Sequence, residues 1–299
     1  MAQVPAVPKS RRLIRRGLSA VGLGTGLSPV PSEQAALALR TARRGRQPPA
    51  ADHVRFLIPL VGPDHVGDWG AVTDRLATTL RSFLEQDDPR WQAVICCQKR
   101  PPLPDDRRIT HLPFDDPAAG NDKWRKLAAL CQDLGQGCTT PAYVMSFDAD
   151  DLLHKAAVGH MLRHQAPGGY LVERGFVMDH STGQVAMARN RGFSQPLQKP
   201  FWKLCGSCMA LPHDPDLPES AAFLRAMTQH EHRMFPYLAK LAGLRPAPLE
   251  PPSVLYVLNH GENFGARRGR VGFKTRFVKR FAVTDKAVLA GLQKDFPRP

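Results

Sequence analysis

Three aspartates stand within four residues at Asp148-Ala149-Asp150-Asp151, directly after the apolar run Ala142-Tyr-Val-Met-Ser-Phe147. A short apolar run of this kind reads as a buried strand, so the carboxylates open a loop at the strand's C-terminal end. Open α/β sheets bind their ligands there. Alternate carboxylates on such a loop can hold a hard divalent cation, Mg²⁺ or Mn²⁺, which keeps its remaining positions for phosphate and water. A surface acidic turn has the same composition; the strand before it and its place in the chain favour a site. Lys123, Arg125 and Lys126 begin the helical pattern before that strand. A cation at a helix start can contact a departing diphosphate, or can simply face solvent.

The elements that must position these groups alternate. Val54 to Leu60 reads as a buried strand, and Val72, Leu76, Leu80, Phe83 and Leu84 follow at helical spacing until Asp87-Asp88-Pro89. Trp91 to Cys97 is a second strand and Ile109 to Leu112 a third. Asn121 and Asp122 cap a helix carrying Trp124, Leu127, Cys131 and Leu134, and the fourth strand runs into Asp148. This order predicts an α/β fold with a mostly parallel, Rossmann-like sheet and helices on both faces. Beyond Asp151, Phe176–Met178 and Val185–Arg189 read as a hairpin, the first piece of a small antiparallel portion. Leu204–Leu211 suggests a strand, Ser220–Thr228 and Arg233–Ala242 suggest helices, and Val254–Leu258 is expected to close the sheet.

The chain has 299 residues and a formal net charge of +14, carried at its ends. Residues 1–50 hold nine Lys or Arg against Glu33 alone, and residues 264–299 hold ten against Asp285 and Asp295. Three segments are therefore expected: a basic, flexible extension over 1–50, a catalytic domain over 51–263 with halves 51–151 and 152–263, and a basic segment over 264–299. Ser32–Arg46 can form a short basic helix within the first. Basic ends suit anionic lipid or nucleic acid, or are solvated tails. In the last segment Phe273, Phe277 and Phe281 stand four apart among Lys274, Arg276, Lys279 and Arg280. On a helix they make an aromatic stripe suited either to an anionic membrane surface or to packing on the domain. No run approaches the roughly 20 apolar residues of a membrane span. The Arg-rich start makes a poor secretory signal and matches a transit peptide by composition only. Six cysteines, with Cys205-Gly-Ser-Cys208 as the one CxxC, form no framework and point to reduced thiols in a cytoplasmic protein.

Phe56-Leu-Ile-Pro-Leu60, Leu80-Arg-Ser-Phe-Leu-Glu-Gln86 and Tyr143-Val-Met-Ser-Phe-Asp-Ala-Asp-Asp151 together resemble glycosyltransferases of the GT-A fold, family 2-like, as in bacterial polysaccharide and rhamnosyl-type transferases. The resemblance spans roughly residues 54–263. It implies that Asp148 lies near the donor's ribose, that Asp150 binds the metal with Asp151 steadying the loop or joining the shell, and that His260, in Asn259-His260-Gly261-Glu262-Asn263, completes the metal site. It also implies a base on the segment opening a late helix, here His230-Glu231-His232. The family's usual Asp is replaced by His232, so Glu231 and His232 compete for that role. Lys123 and Lys126 would meet the diphosphate. The family's base-reading acid is missing, and Gln98 stands in its place.

The chemistry implied is metal-dependent, inverting transfer of a sugar from a nucleotide-diphosphate sugar to a hydroxyl on a glycan or lipid-linked acceptor. A sugar nucleotidyltransferase is the alternative enzyme, but Val61–Gly67 lacks the basic residues of its phosphate loop. A protein binding nucleic acid through its basic ends is the non-enzymatic alternative. No nucleic-acid fold signature is present, so no specific nucleic acid is expected. The expected location is the cytoplasm, with peripheral attachment to the inner membrane face a role open to the basic ends.

Overall fold

The computed structural model describes residues 3–20, 28–116, 120–260 and 271–298. Two helices, α1 (Lys9–Ala20) and α2 (Pro31–Ala42), precede the alternating region. That region runs β1 (His53–Pro59), α3 (Trp69–Leu84), β2 (Trp91–Cys97), β3 (Ile109–Pro113), α4 (Lys123–Gly137) and β4 (Ala142–Ser146). There follow β5 (Leu152–Leu153), α5 (Ala157–His164), β6 (Tyr170–Leu171), β7 (Gly175–Asp179), β8 (Gln184–Ala188) and β9 (Met209–His213). The chain continues through α6 (Pro218–Thr228), α7 (Phe235–Leu241), β10 (Ala247–Pro248), β11 (Val254–Leu258), α8 (Val271–Arg280) and α9 (Lys286–Asp295).

The fold is mixed α/β around a seven-stranded sheet of order β10-β6-β9-β4-β1-β2-β3. Strands β1 to β4 pair in parallel, with Leu57 opposite both Val94 and Ser146. Strand β9 runs antiparallel between β4 and β6. The strands at the centre are buried almost throughout, as continuous apolar runs covered by helices must be. Helix α4 packs on β1 and β2, and α5 on β1. Stacked Phe56 and Phe83, with ring centroids 4.3 Å apart and Phe147 edge-on to both, join β1, α3 and the end of β4.

Three sequence expectations change here. Val254–Leu258 does not close the main sheet, whose edge on β6 is taken by β10; it enters a second, four-stranded sheet of order β5-β11-β7-β8. Leu204–Leu211 is a strand only from Met209, because Cys205 and Ser207 turn inward to hold Asp151. The described part of 1–50 is folded, not a flexible extension. Its single acid, Glu33, is buried and accepts from Arg15 (2.7 Å), Tyr237 Oη (2.6 Å) and Val30 N (3.2 Å). Ala36 and Leu39 are buried where α2 packs on α6 and α7.

The C-terminal aromatic stripe is partly spent on the protein, with Phe273 left exposed. Phe277 and Val278 are buried, α8 packs on β7 and β8, and the Phe277 and Phe281 rings lie 4.9 Å apart. Residues 264–270 of that segment and Gly261–Asn263 lie outside the described residues. All six cysteines are buried and unpaired. Among the described residues, no helix is long and apolar enough to cross a membrane.

Candidate active site

Strand pairing continues to the last residue before the aspartates, where Phe147 N donates to Leu57 O (2.9 Å). The chain then turns under the control of α3. Thr79 Oγ1 lies 3.0 and 2.8 Å from the carbonyl oxygens of Ala149 and Asp151 and donates between them. The loop so fixed presents Asp148 and Asp150 to a cavity of about 620 Å³.

Each of those carboxylates meets a cationic or basic group from a different element. Lys123 Nζ, at the start of α4, donates to Asp148 Oδ1 (2.5 Å), and Asn121 Oδ1 accepts from the Lys123 backbone N (3.1 Å) to shape that helix entry. His260 Nε2, just after β11, donates to Asp150 Oδ2 (2.7 Å). Burial opposes ionisation of Asp150, but the His260 hydrogen bond and charge, with Lys123 nearby, more than offset it and hold the carboxyl below its usual range. Burial also opposes the charge on Lys123, and Asp148 more than offsets that, raising its pKa.

Asp151 is not a cavity ligand. It is fully buried and faces the opposite way, its Oδ2 accepting from Ser207 Oγ (2.5 Å) and Cys205 Sγ (3.0 Å). Ser207 Oγ in turn accepts from Asp148 N (2.8 Å), so the Cys205-Gly-Ser207 turn clamps both ends of the aspartate loop. Burial, with the charges of Asp150 and Asp148, pushes the Asp151 carboxyl well above the usual range. Gly206 lies against Asp148: a Cβ there would stand 3.1 Å from Asp148 Oδ2.

Lys126 and Gln98 also leave the role expected for them. Lys126 has no exposed side-chain surface; its Nζ donates to Leu60 O (2.5 Å) and pairs with Asp122 (2.7 Å). Gln98 Nε2 donates to the same Asp122 carboxylate (2.7 Å), and neither side chain lines the cavity. Arg125 pairs with Asp116 at 2.6 Å. Of the three cations opening α4, Lys123 alone lines the cavity: Arg125, two residues on, points to another side of the helix, and Lys126, on nearly the same face as Lys123, is drawn to Leu60 O at the end of β1.

Glu231 and His232 both line the cavity, at the start of the 3₁₀ turn His232–Met234 that leads into α7. The turn is held from the N-terminal segment: His230 Nε2 lies 2.7 Å from Ser32 Oγ, and Val4 N donates to Gln229 O. Burial, then the charges of Lys274 and Arg233, lower the His232 pKa to about 3, so the ring is neutral at physiological pH. Its buried Nε2 has no hydrogen-bond partner among the described residues.

Several cavity groups escape a sequence reading. Arg75, on α3 beside the buried Leu76, donates to His260 O (3.4 Å). Lys274 Nζ donates to Tyr256 Oη (2.6 Å), so a cation flanking the C-terminal aromatic stripe lines the cavity. Burial lowers the Lys274 pKa, and the nearby acids oppose that. Tyr256 is the one partly exposed position of β11. Arg233 and Gln3 also line the cavity.

The sequence matches no protein-family model and no curated protein sequence. Among solved structures, the chain is similar to S. aureus TarS at 10% identity and a TM-score of 0.32, over 69% of this chain and 37% of that one. It is also similar to a 4-diphosphocytidyl-2C-methyl-D-erythritol synthase at 12% identity and a TM-score of 0.34, over 73% of this chain and 98% of that one. The chain thus spans little more than a third of the TarS chain. At such values the fold is read from the strand order and pairing themselves.

Proposed function

We propose that this chain is a glycosyltransferase that moves a sugar from a nucleotide-diphosphate donor to an acceptor hydroxyl. One observation carries the reading. A strand-end loop presents Asp148 and Asp150, each facing a basic group from another element, into a roughly 620 Å³ cavity that Glu231 and His232 also line. A cavity of that size suits a nucleotide-sugar. The resemblance in the strand leading to Asp148 points the same way.

A divalent ion fits this site on the chemistry of its donors. Among the described residues no three His, Cys, Asp or Glu are grouped to hold a metal unaided. Asp150 Oδ2 and His260 Nε2, 2.7 Å apart, could supply two ligands once the ion displaced the proton between them, with diphosphate oxygens and water as the rest. One imidazole beside a carboxylate suits Mn²⁺ better than Mg²⁺, which prefers oxygen alone. When bound, such an ion would neutralise charge on the departing diphosphate.

The protein's own groups supply the remainder. Lys123, Arg75 and Lys274 bring positive charge to a cavity where diphosphate charge builds up. Glu231 takes the proton from the acceptor hydroxyl as oxygen attacks the anomeric carbon and the carbon–diphosphate oxygen bond breaks, inverting that centre. His232 is the weaker base, since a ring of pKa about 3 has little tendency to accept a proton. The acceptor class is a glycan or a lipid-linked saccharide.

The reading is tested by following nucleoside diphosphate release from UDP-, GDP-, dTDP- and CMP-sugars with Mn²⁺, using a mixed glycan and lipid-linked acceptor pool. One donor should turn over, with release of CMP from the last. Glu231→Gln should lower kcat about a hundredfold with little change in KM. Turnover of no donor would overturn the transferase reading. Full activity in Glu231→Gln would transfer the base role elsewhere.

A further inference from the structure

The segment between β8 and β9 carries chemistry that the transferase reading does not use. Arg189 to Lys203 holds four cations and no acid. A tight turn lifts its tip: Gln195 N donates to Gly192 O (3.1 Å), leaving Phe193 fully exposed and Leu197 56% exposed. Lys199 Nζ sits 3.9 Å from the centroid of Phe273, itself 40% exposed. Trp202, beneath Lys203, is partly exposed. Thus three of the large exposed apolar side chains belong to one basic surface.

The cations there are crowded. Burial and then Arg233, Arg191 and Lys203 lower the Lys199 pKa, while Lys203 feels burial and then Arg191, Arg233 and Lys9 of α1. Arg191 and Arg233 spend one guanidinium nitrogen each on the carbonyls of Gln198 and Lys203. Among the described residues none of Arg191, Lys199, Lys203 and Arg233 has a carboxylate partner. Like charges held together without counter-charge cost stability unless an external anion relieves them. Arg233 and Phe273 also line the cavity, so this surface and the site are continuous.

We propose that the Arg191–Lys203 segment, with Arg233 and Phe273, docks the protein on an anionic lipid bilayer. The cations meet lipid phosphates, while Phe193 and Leu197 enter the headgroup boundary. An anionic polymer would also satisfy the cations, but offers nothing to an exposed Leu197. Lysine stems flanking exposed apolar groups are the arrangement expected at a membrane interface. Docking here places the cavity edge at the bilayer surface, where a lipid-linked acceptor would be presented.

Sedimentation with phosphatidylglycerol–phosphatidylcholine vesicles, and with phosphatidylcholine alone, tests the proposal. No donor or divalent ion is added, so its outcome is independent of the transferase reading. The native chain should pellet with the anionic vesicles only. Lys199→Glu/Lys203→Glu and Phe193→Asp/Leu197→Asp should each weaken binding at least tenfold, with melting temperatures unchanged. An Arg276→Glu/Lys279→Glu variant on α8 should bind as the native chain does. Native-like pelleting of both segment variants would overturn the proposal. So would equal binding to neutral vesicles, or binding to a single-stranded oligonucleotide with none to vesicles.

Discussion

Replacing Asp150 with asparagine should lower kcat/KM for the donor about a thousandfold, while changing unfolding stability by roughly 1 kcal/mol or less. The asymmetry follows from the site. Asparagine preserves the shape of the loop and can still accept a hydrogen bond from His260, whose Nε2 lies 2.7 Å from Asp150 Oδ2. The backbone on either side is held by Thr79 and by Ser207, not by this side chain. What asparagine lacks is the negative charge, kept available because His260 and Lys123 hold the Asp150 carboxyl low. Donor turnover, with urea unfolding in parallel, would show the split. Loss of stability without loss of turnover would make Asp150 a structural residue.

The second large effect lies at Lys126 and is one of stability. Lys126→Met should destabilise the fold by about 3–5 kcal/mol, the usual result of removing one partner from a buried ion pair. Lys126 is fully buried, and its ammonium is shared between Leu60 O at the end of β1 and Asp122 at the start of α4. Methionine fills a similar volume but leaves the nearly buried Asp122 carboxylate with Gln98 as its remaining side-chain partner among the described residues. Because Leu60 and Asp122 line the cavity, donor KM should also rise. Urea unfolding compares Lys126→Met with Lys123→Met. The latter removes a side chain that is 36% exposed and whose partner Asp148 also reaches solvent, so it should cost under about 1 kcal/mol. Equal costs would remove the structural role assigned to Lys126.

The two lysines show how far sequence alone reaches into this protein. The apolar runs at Val54, Trp91 and Ala142 and the helical spacings between them were enough for the parallel sheet, because a strand buried on both faces has few other readings. The same reasoning placed Asp148 and Asp150 at a strand end, and His260 after a strand. It could not tell Lys123 from Lys126. Both are cations at a helix entry, and their difference depends on β1 ending beneath one of them. Between the two roles open to Asp151, steadying the loop or joining the metal shell, sequence could not choose, because the Cys205-Gly-Ser207 turn that encloses it lies more than fifty residues later.

Composition left both ends open. A stretch with nine basic residues and one acid reads as a solvated tail, yet that acid is the buried hub to which Arg15 and Tyr237 bond. The spacing of Phe273, Phe277 and Phe281 suits a helix, and α8 carries the first two. Whether its apolar face met lipid or protein depended on where β7 and β8 lay. That also explains why Lys274 went unnoticed as a cavity residue: it is reached from Tyr256 on β11, in the second sheet, which local periodicity does not assemble.

On the proposed function, the Asp148–Asp150 loop and His260 receive a nucleotide-sugar together with a divalent ion. Isothermal calorimetry of UDP-, GDP-, dTDP- and CMP-sugars against the native chain, with Mn²⁺ and with chelator, tests this most directly. The expected result is binding of one donor that requires Mn²⁺ and disappears in Asp150→Asn and His260→Ala. Mn²⁺-dependent donor binding that survives both substitutions, or no heat with any donor, would contradict it.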